Sequence, residues 1–325
     1  MIIRTALDAL AAVLFPAPCR ICGAILLNAS RIPICEPCLG SITLIAQPMC
    51  DCCGQPFISP VAAEAIEPLC QLCRAQTYAF DRARSLAIYN DALSGAIMLM
   101  KYEQVTRLGD WFSARLAELA KKAGEKFRAD IVVPVPLHPD RQRERGYNQA
   151  ALIARPLARR LRLKLQASLL IRTKPRPPQL VLSRSEHWKS VRGAYATRPG
   201  ARVDNLRILL VDDVLTTGAT LDACSRALKK AGAAEVIGLT VGRVVPGWSS
   251  SGPLRQRDND SREANQRGAM SISDTEGELS GNAETRPWIT GSRAACGPAP
   301  TSRWGRVRPM SLRRGRKLLP PAAPR

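Results

Sequence analysis

Ile208-Leu-Leu-Val-Asp-Asp-Val-Leu-Thr-Thr-Gly-Ala-Thr220 is the stretch from which the fold follows. It starts with four apolar residues in a row, the pattern of a strand covered on both faces. Two adjacent carboxylates, Asp212 and Asp213, come next. Thr216, Thr217, Gly218, Ala219 and Thr220 then open a helix predicted to run to Lys230. A helix N-terminus offers free N–H groups and a partial positive charge, which together hold phosphate. Gly218 lets the backbone come close, and the threonine hydroxyls add donors. Paired carboxylates accept hydrogen bonds from the vicinal hydroxyls of a ribose. The segment therefore predicts a site for a phosphorylated sugar at the carboxyl edge of a sheet. A dinucleotide loop is excluded, because no G-x-G-x-x-G follows a strand, and so is a Walker A loop, because G-K-[ST] is missing.

Outward from this stretch, strands and helices alternate from about residue 77. Strands are expected at 84–89, 130–135 (DIVVPV), 207–211 and 235–245. One short apolar helix spans Leu93 to Met100 and ends near Lys101-Tyr102. A second carries Leu108, Trp111, Phe112, Leu116 and Leu119 on one face. A third runs through Leu152, Ile153, Leu157 and Leu161, where Pro156 should kink or delay it. Residues 136–148 read as a loop. Residues 172–192, polar, basic and proline-bearing, read as a mobile loop. The fold class is α/β, with a mostly parallel sheet flanked by helices.

Before residue 77 the chain has a different character. Nine of its 11 cysteines lie there. They form the C-x-x-C pairs Cys19/Cys22, Cys35/Cys38, Cys50/Cys53 and Cys70/Cys73, with Cys52 as an extra thiol. Each such turn aims two thiolates at one centre, and two turns complete a tetrahedral Zn²⁺ site. Four pairs suffice for two structural sites. Sequential pairing is the first expectation and interleaved pairing the alternative. A disulfide framework is disfavoured: Asp8 interrupts the N-terminal apolar stretch, and no signal-peptide cleavage pattern follows. No apolar run is long enough to span a membrane. Ile3, Leu7, Leu10 and Leu14 fall on one face of a short helix, and the protein reads as cytoplasmic.

The formal charge is +21, from 48 Lys+Arg against 27 Asp+Glu, which suits polyanionic partners. Residues 246–325 hold 14 basic and 7 acidic residues and no sustained apolar period, so disorder is expected there. Cys224 falls on the inner face of the 220–230 helix, and Cys296 lies in the tail. His138 and His187, the only histidines, are read as structural or loop-solvating. The expected division is 1–76, 77–245 and 246–325.

The 208–220 stretch resembles the phosphoribosyl-diphosphate (PRPP) loop of type I phosphoribosyltransferases. Pro134-Val-Pro-Leu-His-Pro-Asp-Arg-Gln-Arg-Glu-Arg-Gly-Tyr-Asn-Gln149 is similar to a signature of the ComF family, which includes competence protein ComF and GntX-like proteins. So are Lys101-Tyr102, Pro178-Gln179 and Val191-Arg-Gly-Ala-Tyr195, and the four C-x-x-C pairs resemble that family's double zinc ribbon. Ser190 and the His187-Trp188-Lys189 run depart from the family pattern. The resemblance covers roughly residues 1–245. It implies that Asp212 and Asp213 hold the ribose and that Thr216, Thr217, Gly218, Ala219 and Thr220 hold the 5-phosphate, with Val214 and Leu215 also in the PRPP-binding loop. Pro136 and Leu137 would meet the diphosphate, with Mg²⁺ between. Arg145 and Lys101 would assist its departure, with Arg141 and Arg143 as further cations. The acceptor is undefined, since no residue stands out as its general base. The implied setting is DNA uptake during natural transformation. The alternative is a non-catalytic PRPP sensor or a single-stranded-DNA-binding protein on the same fold.

Overall fold

The computed structural model describes residues 17–26, 31–57, 68–175, 183–249 and 252–253. The expected N-terminal helix, Pro178-Gln179 and Cys296 lie outside the described residues, as does all of the tail beyond residue 253.

The 208–220 stretch sits at the centre of the sheet. β6 (Arg207–Leu215) pairs in parallel with β7 (Glu235–Arg243) on one side and β2 (Ile131–Pro134) on the other. β1 (Arg82–Ile88) and β3 (Lys164–Leu165) complete a five-stranded sheet of order β1-β7-β6-β2-β3, parallel throughout. The pleat explains the unbroken apolar run of β6. Leu209 and Val211 enter one core, and Ile208 and Leu210 enter the other. The first core is roofed by α3 (Asp91–Tyr102), α4 (Arg107–Lys122) and α6 (Gln149–Leu161). The second is roofed by α8 (Ala219–Lys230), whose Leu221, Cys224 and Leu228 are buried. Cys224 is therefore a core residue, as expected.

Two of the roofing helices, α3 and α6, are capped by an asparagine side chain where they start. The Asn90 side chain accepts from Leu93 N at 3.1 Å, and that of Asn148 from Ala150 N at 2.9 Å. α6 runs unbroken through Pro156, so the proline neither delays nor ends it.

Both expected loops contain a helix. Within 136–148, α5 (Pro139–Arg145) starts with proline in its first turn and stops at Gly146, at φ 83°. Within 172–192, β4 (Leu170–Arg172) pairs antiparallel with β5 (Tyr195–Thr197), and α7 (Arg184–Val191) is held by a Ser183–Glu186 capping box. Both helices lack a buried apolar stripe, so the sequence shows no helical period there.

The cysteine-rich segment includes two short helices, α1 (Glu36–Gly40) and α2 (Gln71–Arg74). It lies along the outer edge of β1: Ile45 N donates to Leu86 O at 3.0 Å, Ile88 N to Thr43 O at 2.9 Å and Ala83 N to Cys52 O at 2.7 Å. The free backbone groups of an edge strand are thus satisfied.

Candidate functional site

The sheet delivers the acidic pair to its own carboxyl edge. Asp212 and Asp213 end the unbroken buried run of β6, at 8% and 5% exposure. One oxygen of each is occupied locally: Asp212 Oδ1 accepts from Asp213 N at 2.9 Å, and Asp213 Oδ1 from Val214 N at 2.8 Å. Asp213 Oδ2 is buried without a hydrogen-bond partner and meets the Lys101 ammonium as an ion pair. Lys101 reaches it from the last turn of α3. Burial and the neighbouring Asp213 charge push the Asp212 carboxyl well above the usual carboxylate range. Burial pulls Lys101 down, but the Asp213 and Asp212 charges outweigh it and hold the ammonium above its ordinary value. Two adjacent carboxylates, one of them balanced by the Lys101 ammonium, offer hard oxygens that fit a divalent cation or a pair of sugar hydroxyls.

Past Leu215, Gly218 takes the left-handed conformation (φ 83°) and caps α8. A Cβ there would stand 2.5 Å from Tyr78 Cε1, because the Tyr78 ring lies over the loop. Tyr78 Oη donates to the Thr217 carbonyl at 3.1 Å, and His187 Nδ1 lies 3.0 Å from Thr217 Oγ1. The loop before α8 is thus held between Tyr78 and α7.

A cavity of about 340 Å³ opens over this edge. Of the sequence-predicted residues it gathers Lys101, Arg145, Asp212, Asp213, Thr216 and Thr220 on its walls, with Val214, Pro136 and Leu137 beside them. Four others lie outside the lining: Leu215 and Ala219 are buried in the core, Thr217 faces His187, and Gly218 lies under Tyr78. Arg145 stacks 5.0 Å from the Tyr102 ring centroid and donates to Gln149. Arg141 lines the cavity while paired to Glu144 at 3.1 Å. Arg143 lies outside the lining and pairs with Asp140.

Sequence reading missed Arg172 and Tyr195, which line the same cavity. Arg172 Nη1 donates to Tyr195 Oη at 3.0 Å. Burial pushes the Tyr195 hydroxyl up in pKa, and the Thr220 hydroxyl beside it pulls the other way. Their placement depends on the β4–β5 pairing, which no local pattern announces. A larger cavity of about 620 Å³ lies between α7 and α8 but holds neither Asp212 nor Asp213, so the chemistry belongs to the smaller one.

The cysteines form two clusters, Cys19/Cys22/Cys35/Cys38 and Cys50/Cys53/Cys70/Cys73, with each set of sulfurs within 4.8 Å. Pairing is therefore sequential. Cys22 and Cys35 sulfurs are 3.5 Å apart, Cys19 and Cys38 3.9 Å, and Cys53 and Cys70 3.6 Å. These distances suit the edges of a tetrahedron with metal–sulfur bonds of about 2.3 Å, and exceed a disulfide bond of about 2.05 Å. The donor sets fit structural zinc. Among the described residues no helix is long and apolar enough to cross a membrane.

Comparison with known proteins agrees with this geometry. The phosphoribosyl transferase domain family matches residues 148–243, and the double zinc ribbon domain family matches residues 10–74. Competence protein F of Haemophilus influenzae is 28% identical over 217 residues, covering 62% of this chain and 93% of that protein. DNA utilization protein YhgH of Escherichia coli K12 is 29% identical over 207 residues, covering 62% and 87%. Competence protein ComFC of Bacillus subtilis is 25% identical over 212 residues, covering 62% and 80%.

Proposed function

We propose that this chain, which belongs to the ComF family of phosphoribosyltransferase-fold proteins with an N-terminal zinc ribbon, binds PRPP with Mg²⁺ in the cavity over β6. DNA uptake or utilisation, in the cytoplasm, is the setting in which it would act, as the names of its relatives suggest. The observation that carries the reading is the buried Asp212–Asp213 pair beside the α8 N-terminus within one cavity. The two carboxylates would accept hydrogen bonds from the ribose hydroxyls. Thr216, Thr220 and the first N–H groups of α8 would hold the 5-phosphate. Pro136 and Leu137 follow β2 and line the same cavity, where the diphosphate would lie. Lys101 would exchange Asp213 for that diphosphate, and Arg145 would add a second cation. When bound, Mg²⁺ neutralises charge on the leaving diphosphate. These residues would serve the ribose end of the ligand, leaving Arg172 and Tyr195, on the same cavity, for the acceptor side.

Isothermal titration with PRPP, with and without Mg²⁺, tests the reading. Saturable, Mg²⁺-dependent binding is expected for the wild type, with none for Asp212→Asn/Asp213→Asn. Equal binding by the double variant, or none by the wild type, would sink it. Diphosphate release against a panel of nucleobases then separates an enzyme from a sensor.

A further inference from the structure

The two cysteine clusters differ in their surroundings. In the first, Cys19 is buried, Cys35 and Cys38 are half-buried and Cys22 is exposed. In the second, Cys50, Cys53 and Cys73 are buried and Cys70 is half-buried. Against the second cluster packs Arg243, which ends β7 and is 4% exposed. Its Nη1 donates to the Cys53 carbonyl at 2.7 Å, and its Nη2 lies 3.4 Å from Cys53 Sγ. Nε and Nη2 donate to Gln55 Oε1 at 3.0 and 2.8 Å. Among the described residues no carboxylate pairs with Arg243. A buried guanidinium without an anion is strongly disfavoured. Four thiolates around a zinc dication carry a net charge of about −2. The loaded cluster is therefore the anion that this cation matches.

Arg84, on β1, adds a second guanidinium, donating to the Cys50 and Cys52 carbonyls at 3.4 and 3.3 Å. At the first cluster the neighbouring arginine, Arg20, turns to Glu103 instead.

The Arg243 backbone connects this contact to the ligand cavity. Its register partner is Leu215, two residues beyond Asp213. Its carbonyl accepts from Tyr89 N at 2.7 Å, and Tyr89 lines the cavity. Val244 N donates to Leu215 O at 3.0 Å.

We infer that Arg243 makes the second metal site an integral part of the ligand-binding core, so that the two zinc ions are unequal. Zinc at Cys50/Cys53/Cys70/Cys73 neutralises the guanidinium and fixes the carboxyl ends of β6 and β7. Zinc at Cys19/Cys22/Cys35/Cys38 is removable with the cavity intact. Arg243 is a positioning residue: it touches the metal's ligands and acts on the cavity through the strand it ends.

The test follows zinc release from the full-length protein to a chromogenic chelator, with total zinc measured by plasma emission. Two zinc ions per chain are expected, the second leaving about tenfold more slowly than the first or slower still. In Arg243→Met the slow phase should merge with the fast one, and Arg243→Lys, which keeps the charge, should restore part of it. Wild-type release by Arg243→Met overturns the inference, as does a wild type that releases both ions together. Should Arg243→Met fail to fold, Gln55→Ala serves in its place: it frees the guanidinium fork and should quicken the slow phase alone. Unchanged slow phases in Gln55→Ala and Arg243→Lys then count against the proposal. A second arm rests on the PRPP reading: Cys22→Ser/Cys38→Ser should keep PRPP affinity, whereas Arg243→Met should weaken it about tenfold or more. If wild-type protein binds no PRPP, that reading fails while the chelator arm still decides the inequality of the metals.

Discussion

At the scale of single residues, the site stores unfavourable electrostatics that a ligand would relieve. Asp212 is buried beside a second carboxylate, and its pKa is raised by burial and by that neighbour. Between its ordinary value near about 3.9 and its folded value, the native state holds a proton that the unfolded chain has lost. Stability therefore falls as pH rises through that window. Asp212→Asn mimics the protonated form, so at pH 8 it should stabilise the ligand-free protein by on the order of 1 kcal/mol, roughly 2–4 °C. The gain should shrink as pH falls towards 4, and PRPP binding should be lost at every pH. Melting curves across pH check this, and a variant that melts lower than wild type at pH 8 refutes it. Lys101 has the opposite role. Its side chain is 19% exposed, against 8% for that of Asp213. Lys101→Met leaves Asp213 as an unpaired buried charge and should cost about 3 kcal/mol, most of it recovered in Lys101→Met/Asp213→Asn. Strictly additive losses in denaturant unfolding would show that the two residues are not coupled.

At the scale of elements, legibility followed burial. The strand-acid-acid-helix unit of β6 and α8 is readable because every part has a chemical task and the apolar run is unbroken. The helices α3, α4 and α6 are readable because each buries a stripe at helical spacing. α5 and α7 are not, because they bury no apolar stripe, although Ser183 and Glu186 spell a capping box that could have revealed α7. The cavity residues Arg172 and Tyr195 were missed because two strands separated in sequence bring them together. The crossing of α4 and α6 shows a finer device. Pro156 lacks the N–H that would bond Leu152 O within α6. Gly109 of α4 comes close to that same carbonyl, and a Cβ at 109 would stand 2.8 Å from it. Backbone cannot yield as a side-chain tip can. Gly109→Ala should therefore destabilise by about 1–3 kcal/mol, roughly 3–10 °C in melting temperature, while leaving zinc content unchanged. A thermal melt within a degree of wild type would show that the helices can separate freely.

At the scale of the whole molecule, the ribbon and the sheet are interdependent. Cys19, Ile34 and Ile42 enter the core that α3, α4 and α6 cover, while Cys50, Cys53 and Cys73 enter the core under α8. The ribbon thus reaches both sides of β1 and also covers its outer edge. The opening motif explains none of this, since the sheet chemistry at Asp212 makes no demand for a zinc module. What demands it is β1: a flat parallel strand at the edge of a sheet, with Ala83, Leu86, Ala87 and Ile88 buried, offers a template for another chain once uncovered. A chain starting at residue 77 keeps every residue of the ligand cavity. It loses the acceptors and donors that Thr43, Ile45 and Cys52 supply to β1. It also leaves the Arg243 guanidinium without its thiolates. Such a chain should self-associate: light scattering should show high-molecular-weight species at micromolar concentration, where the full chain shows a defined mass. A soluble 77–325 chain of the same oligomeric state as the full protein, binding PRPP with equal affinity, would show that the ribbon is an independent attachment to the sheet.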